Sequence, residues 1–175
     1  YNSQPFGKRR TQHARLAEYL EQRYTVKLAE YAELLAYHYT AAQRWLSAAR
    51  YTLILGDKAR QRYAFPQAAA CYRRALEMLD RLTSVAAAAD VTALQVHGHT
   101  GLGDIALLTG DFAAAATHYT TAQQIAAPET PVTLLFRLAL ALPTQGQAAE
   151  AEDCARQAWS LSPVGEDLAA SAILA

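Results

Sequence analysis

Residues 102–122 read LGDIALLTGDFAAAATHYTTA, and this stretch decides the fold. Small residues stand at Gly103, Gly110, Ala115 and Ala122, with a large ring at Tyr119. Two antiparallel helices joined by a tight turn need this arrangement. Where they cross, a side chain larger than alanine would push them apart, and the turn favours a residue free to adopt positive φ. The spacing predicts that Gly103 and Ala115 face each other inside one hairpin. Tyr119 and Ala122 are expected to meet the next hairpin, one as a knob and the other as the space that takes a knob.

The pattern recurs. Leu55, Gly56, Ala68, Tyr72 and Ala75 form one set within residues 49–82. Leu102, Gly103, Gly110, Phe112, Ala115, Tyr119 and Ala122 form a second within 96–129. Leu138, Ala139, Leu142, Gly146, Ala151, Ala158 and Pro163 form a third within 132–165, with Ala155 where the second set has Tyr119. These sets resemble the tetratricopeptide repeat, a helix–turn–helix unit. A single hairpin cannot bury its own apolar face, so the resemblance implies a stack. Leu35, Ala36, Tyr39, Trp45 and Ala48 also fit a frame starting near residue 29, which overlaps the frame starting at 49. The helix at 45–62 is therefore expected to close one hairpin and open the next, and helices 8–48 to be more divergent repeats.

No segment alternates as a strand would, and apolar residues recur at three- and four-residue steps. Helices are expected at roughly 8–23, 27–41, 45–62, 66–82, 86–109, 112–127, 132–145, 147–161 and 166–175. Phe65-Pro66 opens one helix. Thr130-Pro131 opens another, with Thr130 as N-cap and Pro131 at the first helical position. Gly110-Asp111 ends one helix and caps the next, and Gly146 and Pro163 mark later turns. The breaker-free stretch around Arg81 to Gln95 predicts a longer helix rather than a loop. The expected fold is all-α: a right-handed superhelix of antiparallel helix pairs, one continuous domain over 1–175.

A finer resemblance covers roughly residues 10–80, on Leu35, His38, Tyr39, Trp45, Tyr51, Gly56, Asp57, Tyr63, Ala68 and Tyr72 among others. This stretch is similar to the start of the repeat region in large bacterial signalling proteins. These include STAND-type ATPase transcriptional activators and proteins joining a nucleotide cyclase domain to an ATPase. The helix HARLAEYLEQRY is similar to the one leading out of their ATPase module. The resemblance departs at Gln43-Arg44, where a Gly-Asp turn is usual. It implies a repeat region cut from a larger protein, an expectation in keeping with a chain that opens on Tyr1 and stops inside a helical run.

Of the 175 residues, 52% are apolar, and 16 Lys and Arg balance 16 Asp and Glu. That balance argues against nucleic acid as a direct partner. Lys8-Arg9-Arg10 reads as a solvated helix start. The two cysteines, Cys71 and Cys154, lie far apart among alanines, read as fillers of small buried spaces, and suit a reducing cytoplasm. No signal peptide opens the chain, and the most apolar run, Val132 to Leu142, is too short to span a bilayer.

Catalytic chemistry finds no support in the spacing. No phosphate loop of the G-x-x-x-x-G-K-[ST] type occurs, and Ser47, Ser84, Ser160 and Ser162 have no legible His/Asp partners. In His97-Gly98-His99-Thr100-Gly101-Leu102-Gly103 the histidines are two apart and point about 200° apart on a helix. They cannot share one metal ion, although His118 could approach from the next helix. The cluster reads either as small residues at a close helix crossing or as His97 lining a groove. Glu30, Glu33, Glu150, Glu152 and Asp153 read as solvated faces, Trp45 and Trp159 as packing residues. No cofactor or metal is expected.

In tetratricopeptide arrays the first helix of each hairpin lines the concave side. The resemblance so implies that Arg50, Asp57, Arg60, Gln61, His97, Thr100, Asp104, Phe136, Arg137 and Leu140 face or flank a groove. One subset of the family grips C-terminal carboxylates with Lys and Asn at set positions. Those positions hold Ile54, Gly101 and Thr133 here; only Arg137 fits, and no such clamp is expected. The expected function is a non-catalytic protein–protein interaction or regulatory module that binds a protein or peptide. The competing reading is a small-molecule sensor with a ligand near His97, Asp104 and Phe136.

Overall fold

The computed structural model describes residues 6–82, 88–127, 131–142 and 148–161. Among them run eight α-helices and no strand: α1 (Phe6–Arg23), α2 (Ala32–Ala41), α3 (Trp45–Gln61), α4 (Phe65–Asp80), α5 (Ala88–Leu108), α6 (Phe112–Ala126), α7 (Val132–Ala141) and α8 (Ala148–Leu161). The chain divides into two compact units, Tyr1–Leu94 and Gln95–Ala175.

In the first unit each helix packs on its neighbour in sequence, so α3 lies against both α2 and α4. Alanine makes this close stacking possible. Ala17, Ala32, Ala48, Ala49, Ala68 and Ala75 are fully buried, and the bulk between them is supplied by Leu35, Tyr51, Leu53 and Tyr72. Burying each such large side chain contributes about 1.5–3 kcal/mol before entropy is counted. Pro66 sits in the first turn of α4, where a missing N–H costs nothing.

Three helix-to-helix turns share one hydrogen-bond pattern. After α2, Gln43 N–H donates to the Thr40 carbonyl and Arg44 N–H to the Tyr39 carbonyl. After α3, Tyr63 donates to Arg60 and Ala64 to Ala59; after α5, Gly110 donates to Leu107 and Asp111 to Ala106. This paired bond satisfies helix-end carbonyls and requires positive φ at the residue past the cap. Gly110 adopts it at φ +82°, but Gln43 and Tyr63 adopt it too, at +57° and +58°. The Gln43-Arg44 departure from the family's usual turn thus leaves the turn geometry intact.

The expected helix at 27–41 is shorter than its apolar spacing suggested. Thr25–Lys27 forms a single 3-10 turn and α2 begins only at Ala32. Local bonds take up the backbone there, from Lys27 N–H to the Tyr24 carbonyl and from Glu30 N–H to the Lys27 carbonyl. Tyr24 and Tyr31 stack across this corner with centroids 4.2 Å apart, and Val26 projects into solvent. Of the stretch expected to be helical between Arg81 and Gln95, α4 ends at Asp80 and α5 starts at Ala88; residues 83–87 lie outside the described part.

The second unit is centred on Tyr119, Leu134, Leu138 and Ala141, with Ala115, Ala122 and Ala151 filling between helices. Asp111 caps α6, its carboxylate accepting from Ala114 N–H at 3.0 Å, worth about 1 kcal/mol. Pro131 is the N-cap of α7, with ψ 135°, rather than its first helical residue. Thr130, Gly146, Pro163 and the expected helix at 166–175 lie outside the described residues. Trp159, expected at a packing position, is 64% exposed on α8. Cys71 and Cys154 are free and only half-buried, because each sits at the edge of its helix's buried stripe.

Candidate functional site

In the α3–α4 and α5–α6 hairpins the glycine of the first helix faces a tyrosine ring. A Cβ built on Gly103 would lie 2.6 Å from Tyr119 Cδ1 and closer still to Cε1, and one on Gly56 would lie 2.7 Å from Tyr72 Cε1. The ring of Tyr119 therefore lies directly over Gly103. The ring needs more room than a methyl group would leave. Tyr119 so packs first inside its own hairpin, although it also joins the cluster that α7 completes.

The aspartate after each glycine holds the ring's far end. Tyr72 Oη donates to Asp57 Oδ1 at 2.7 Å, and Tyr119 Oη donates to Asp104 Oδ1 at 2.9 Å. In α1, Glu21 plays the same part for two phenols. Tyr39 and Tyr51, stacked with centroids 5.8 Å apart, each donate to one of its carboxylate oxygens, Tyr51 at 2.5 Å. Burial pushes the phenols of Tyr39, Tyr51 and Tyr72 well above their ordinary value, and the adjoining carboxylates push them further. At Tyr72 the Arg60 guanidinium partly opposes that rise.

The candidate groove residues fall into two groups, one in each unit. In the first, Asp57 and Arg60 converge on Tyr72, while Arg50 and Gln61 are exposed on α3. In the second, Asp104 and Arg137 form an ion pair at 2.8 Å, largely shielded from water. One oxygen of Asp104 accepts from both Arg137 on α7 and Tyr119 on α6. His97, Thr100 and Asp104 share a face of α5 by their spacing, with His97 and Thr100 half-buried. On α7, Phe136 is half-buried and Leu140 is 50% exposed one turn later. Gly98, Gly101 and Gly103 are buried, as a close helix crossing requires.

Two histidine pairs meet across helices, and of these the sequence pointed only to the approach of His118 to the α5 cluster. His13 of α1 and His38 of α2 approach Nδ1 to Nδ1 at 2.7 Å, with Tyr37 edge-on to His13. His99 of α5 and His118 of α6 approach at 3.4 Å. Burial lowers the His38 pKa from its ordinary value, and the neighbouring His13 lowers it further. Among the described residues no three His, Cys, Asp or Glu side chains converge as a metal site would require, and no helix is long and apolar enough to cross a membrane. Glu21 was equally hidden, since its two phenol partners lie 18 and 30 residues away.

No family model and no curated protein sequence matched the chain. Among solved structures it is similar to the C-terminal TPR-containing domain of a protein from Plasmodium falciparum described as an FK506-binding protein. The match has a TM-score of 0.63 at 19% identity, covering 74% of this chain and 87% of that one. The fold is therefore all-α and of the tetratricopeptide type, built of antiparallel helix hairpins.

Proposed function

We propose that this chain is a protein–protein interaction module that binds its partner along the first helices of its hairpins. The observation that carries this reading is how polar capacity is divided. Aspartates, glycines and tyrosines of the repeat are occupied in holding helices together. Arg50 and Gln61 in the first unit, and Leu140 beside Phe136 in the second, are left facing outward. A surface of mixed charge and apolar character on a stiff helical scaffold suits recognition of a peptide or protein face. The TPR-type fold supports the same reading.

The resemblance of residues 10–80 to STAND-type regulators supports a finer proposal. The module is the repeat region of a larger bacterial signalling or transcriptional regulator, in the cytoplasm, with chemistry residing in other domains. An ATPase coupled to a cyclase or DNA-binding domain in the full-length gene product is the expected finding. A free-standing repeat protein would overturn that context.

The binding surface is tested by placing a photo-crosslinking phenylalanine analogue at Gln61 or Phe136, and at Glu77 or Gln157 as controls. One discrete protein adduct from the first two positions and none from the controls is expected. No adduct at Gln61 and Phe136, together with a thermal shift from a small metabolite, would replace the interaction reading by a small-molecule sensor.

A further inference from the structure

Lys8-Arg9-Arg10 reads in sequence as a solvated helix start, but the first unit gives part of it a setting. Arg10 and Arg15 of α1 and Arg44 of the α2–α3 turn line one open cleft of about 500 Å³, with Thr11, Gln43 and Glu18. All three arginines are exposed. Among the described residues their side chains make no hydrogen bond, ion pair or ring contact, unlike Arg137, Arg156 and Arg81 elsewhere. A second cleft of about 300 Å³ adjoins it, sharing Thr11 and Arg15 and adding Lys8. The turn that presents Arg44 is held by the paired bonds at Gln43 and Arg44, so this guanidinium projects from a fixed corner.

We infer that this basic cleft docks an internal acidic segment of a protein partner, through side-chain carboxylates. The inference rests on the interaction-module reading and names one partner chemistry for a surface apart from the first-helix faces. Charge complementarity favours this occupant. Four cations line the two clefts against the single carboxylate of Glu18, in a chain whose total charge is zero. Their distribution favours an extended ligand over a compact anion. From Gly7 to Glu18 the helix rises about 16 Å, a length spanned by about five residues of extended peptide. Arg10 and Arg15 are separated by about 7.5 Å along the axis, so they do not pinch one point. Guanidinium groups pair carboxylates bidentately, which suits successive Glu or Asp side chains.

The test is fluorescence anisotropy with the full chain and a fluorescein-labelled octapeptide of alternating Glu and Thr, amidated so that no terminal carboxylate contributes. The expected result is saturable binding that weakens steeply with salt. Substituting Arg10→Gln, Arg15→Gln or Arg44→Gln is expected to weaken it about threefold each, and roughly twentyfold or more together. Arg73→Gln on α4 should leave it unchanged, as should Gln61→Ala on the first-helix face. Should the triple variant lose its helical circular dichroism, the single variants decide. Binding no tighter than that of the Gln/Thr octapeptide, or binding indifferent to all three arginines, overturns the proposal. So does tighter binding of an octathymidylate, which would make the cleft a nucleic-acid contact. If the cleft fails while the crosslinks at Gln61 and Phe136 survive, only this inference falls.

Discussion

The hairpin of α3 and α4 and the hairpin formed by α5 and α6 use the same device and close it differently. In both, a glycine yields space to a tyrosine ring, and the next aspartate accepts that tyrosine's hydroxyl across 15 residues of chain. Around Asp57 the nearby cation, Arg60, comes from the same helix, and the carboxylate is half-buried. Around Asp104 the cation is Arg137, from the following helix, and the aspartate is only 9% exposed. A motif that pins two helices becomes a strut among three when a later helix supplies an arginine.

The sharpest test of the shared device is steric. Gly103→Ala should cost about 2–3 kcal/mol in urea unfolding, because the ring it strikes is fully buried and has nowhere to move. Gly56→Ala meets its ring at slightly longer range and should cost about 1–2 kcal/mol, in each case after alanine's helical advantage of about 1 kcal/mol is credited. Near-neutral results at both sites would mean that the rings are not confined as described. Next comes the strut. Asp104→Ala should destabilise by about 2–3 kcal/mol, since it strands a shielded guanidinium as well as a phenol. Asp57→Ala should lose only about 1–2 kcal/mol. A double-mutant cycle with Arg137→Met should show coupling to Asp104 of about 1 kcal/mol or more; no coupling would erase the difference between the two hairpins.

The histidine pairs offer a milder comparison. His38 has a depressed folded pKa, so its neutral form is the one the fold favours. Its contribution is present above the ordinary value of 6.5 and is lost as pH falls through 6.5 towards the depressed value. Thermal melts should therefore weaken on acidification, and His38→Gln should remove part of that dependence; an unchanged profile would show that burial of His38 beside His13 does not couple its protonation to folding. The smallest effect concerns the turns. Gln43→Gly should stabilise by about 0.5–1 kcal/mol by relieving positive φ. Gly110→Ala should cost about 1 kcal/mol.

The repeat positions were legible because their physics is local. Glycine, alanine and tyrosine at fixed helical spacing announce where backbones approach, and Gly110-Asp111 announces a turn and a cap. The pairing inside the α5–α6 hairpin was not fully legible, since spacing does not show that Tyr119 lays its ring over Gly103 of its own hairpin. Candidate groove residues were found by position along the first helices. Spacing could not show that Asp57 and Asp104 are committed to tyrosines, nor that Arg137 reaches back to Asp104 across 33 residues.

By itself, then, the sequence determined the helical class, the order of the described helices and the turn at Gly110-Asp111, because those depend on neighbours a few residues away. Only the tertiary structure decided which carboxylate holds which phenol, which histidines meet, and which arginines are left unpaired around one cleft. Each of those depends on atoms brought together from distant parts of the chain, where hydrogen bonding and burial act over a few ångströms and no periodicity records them.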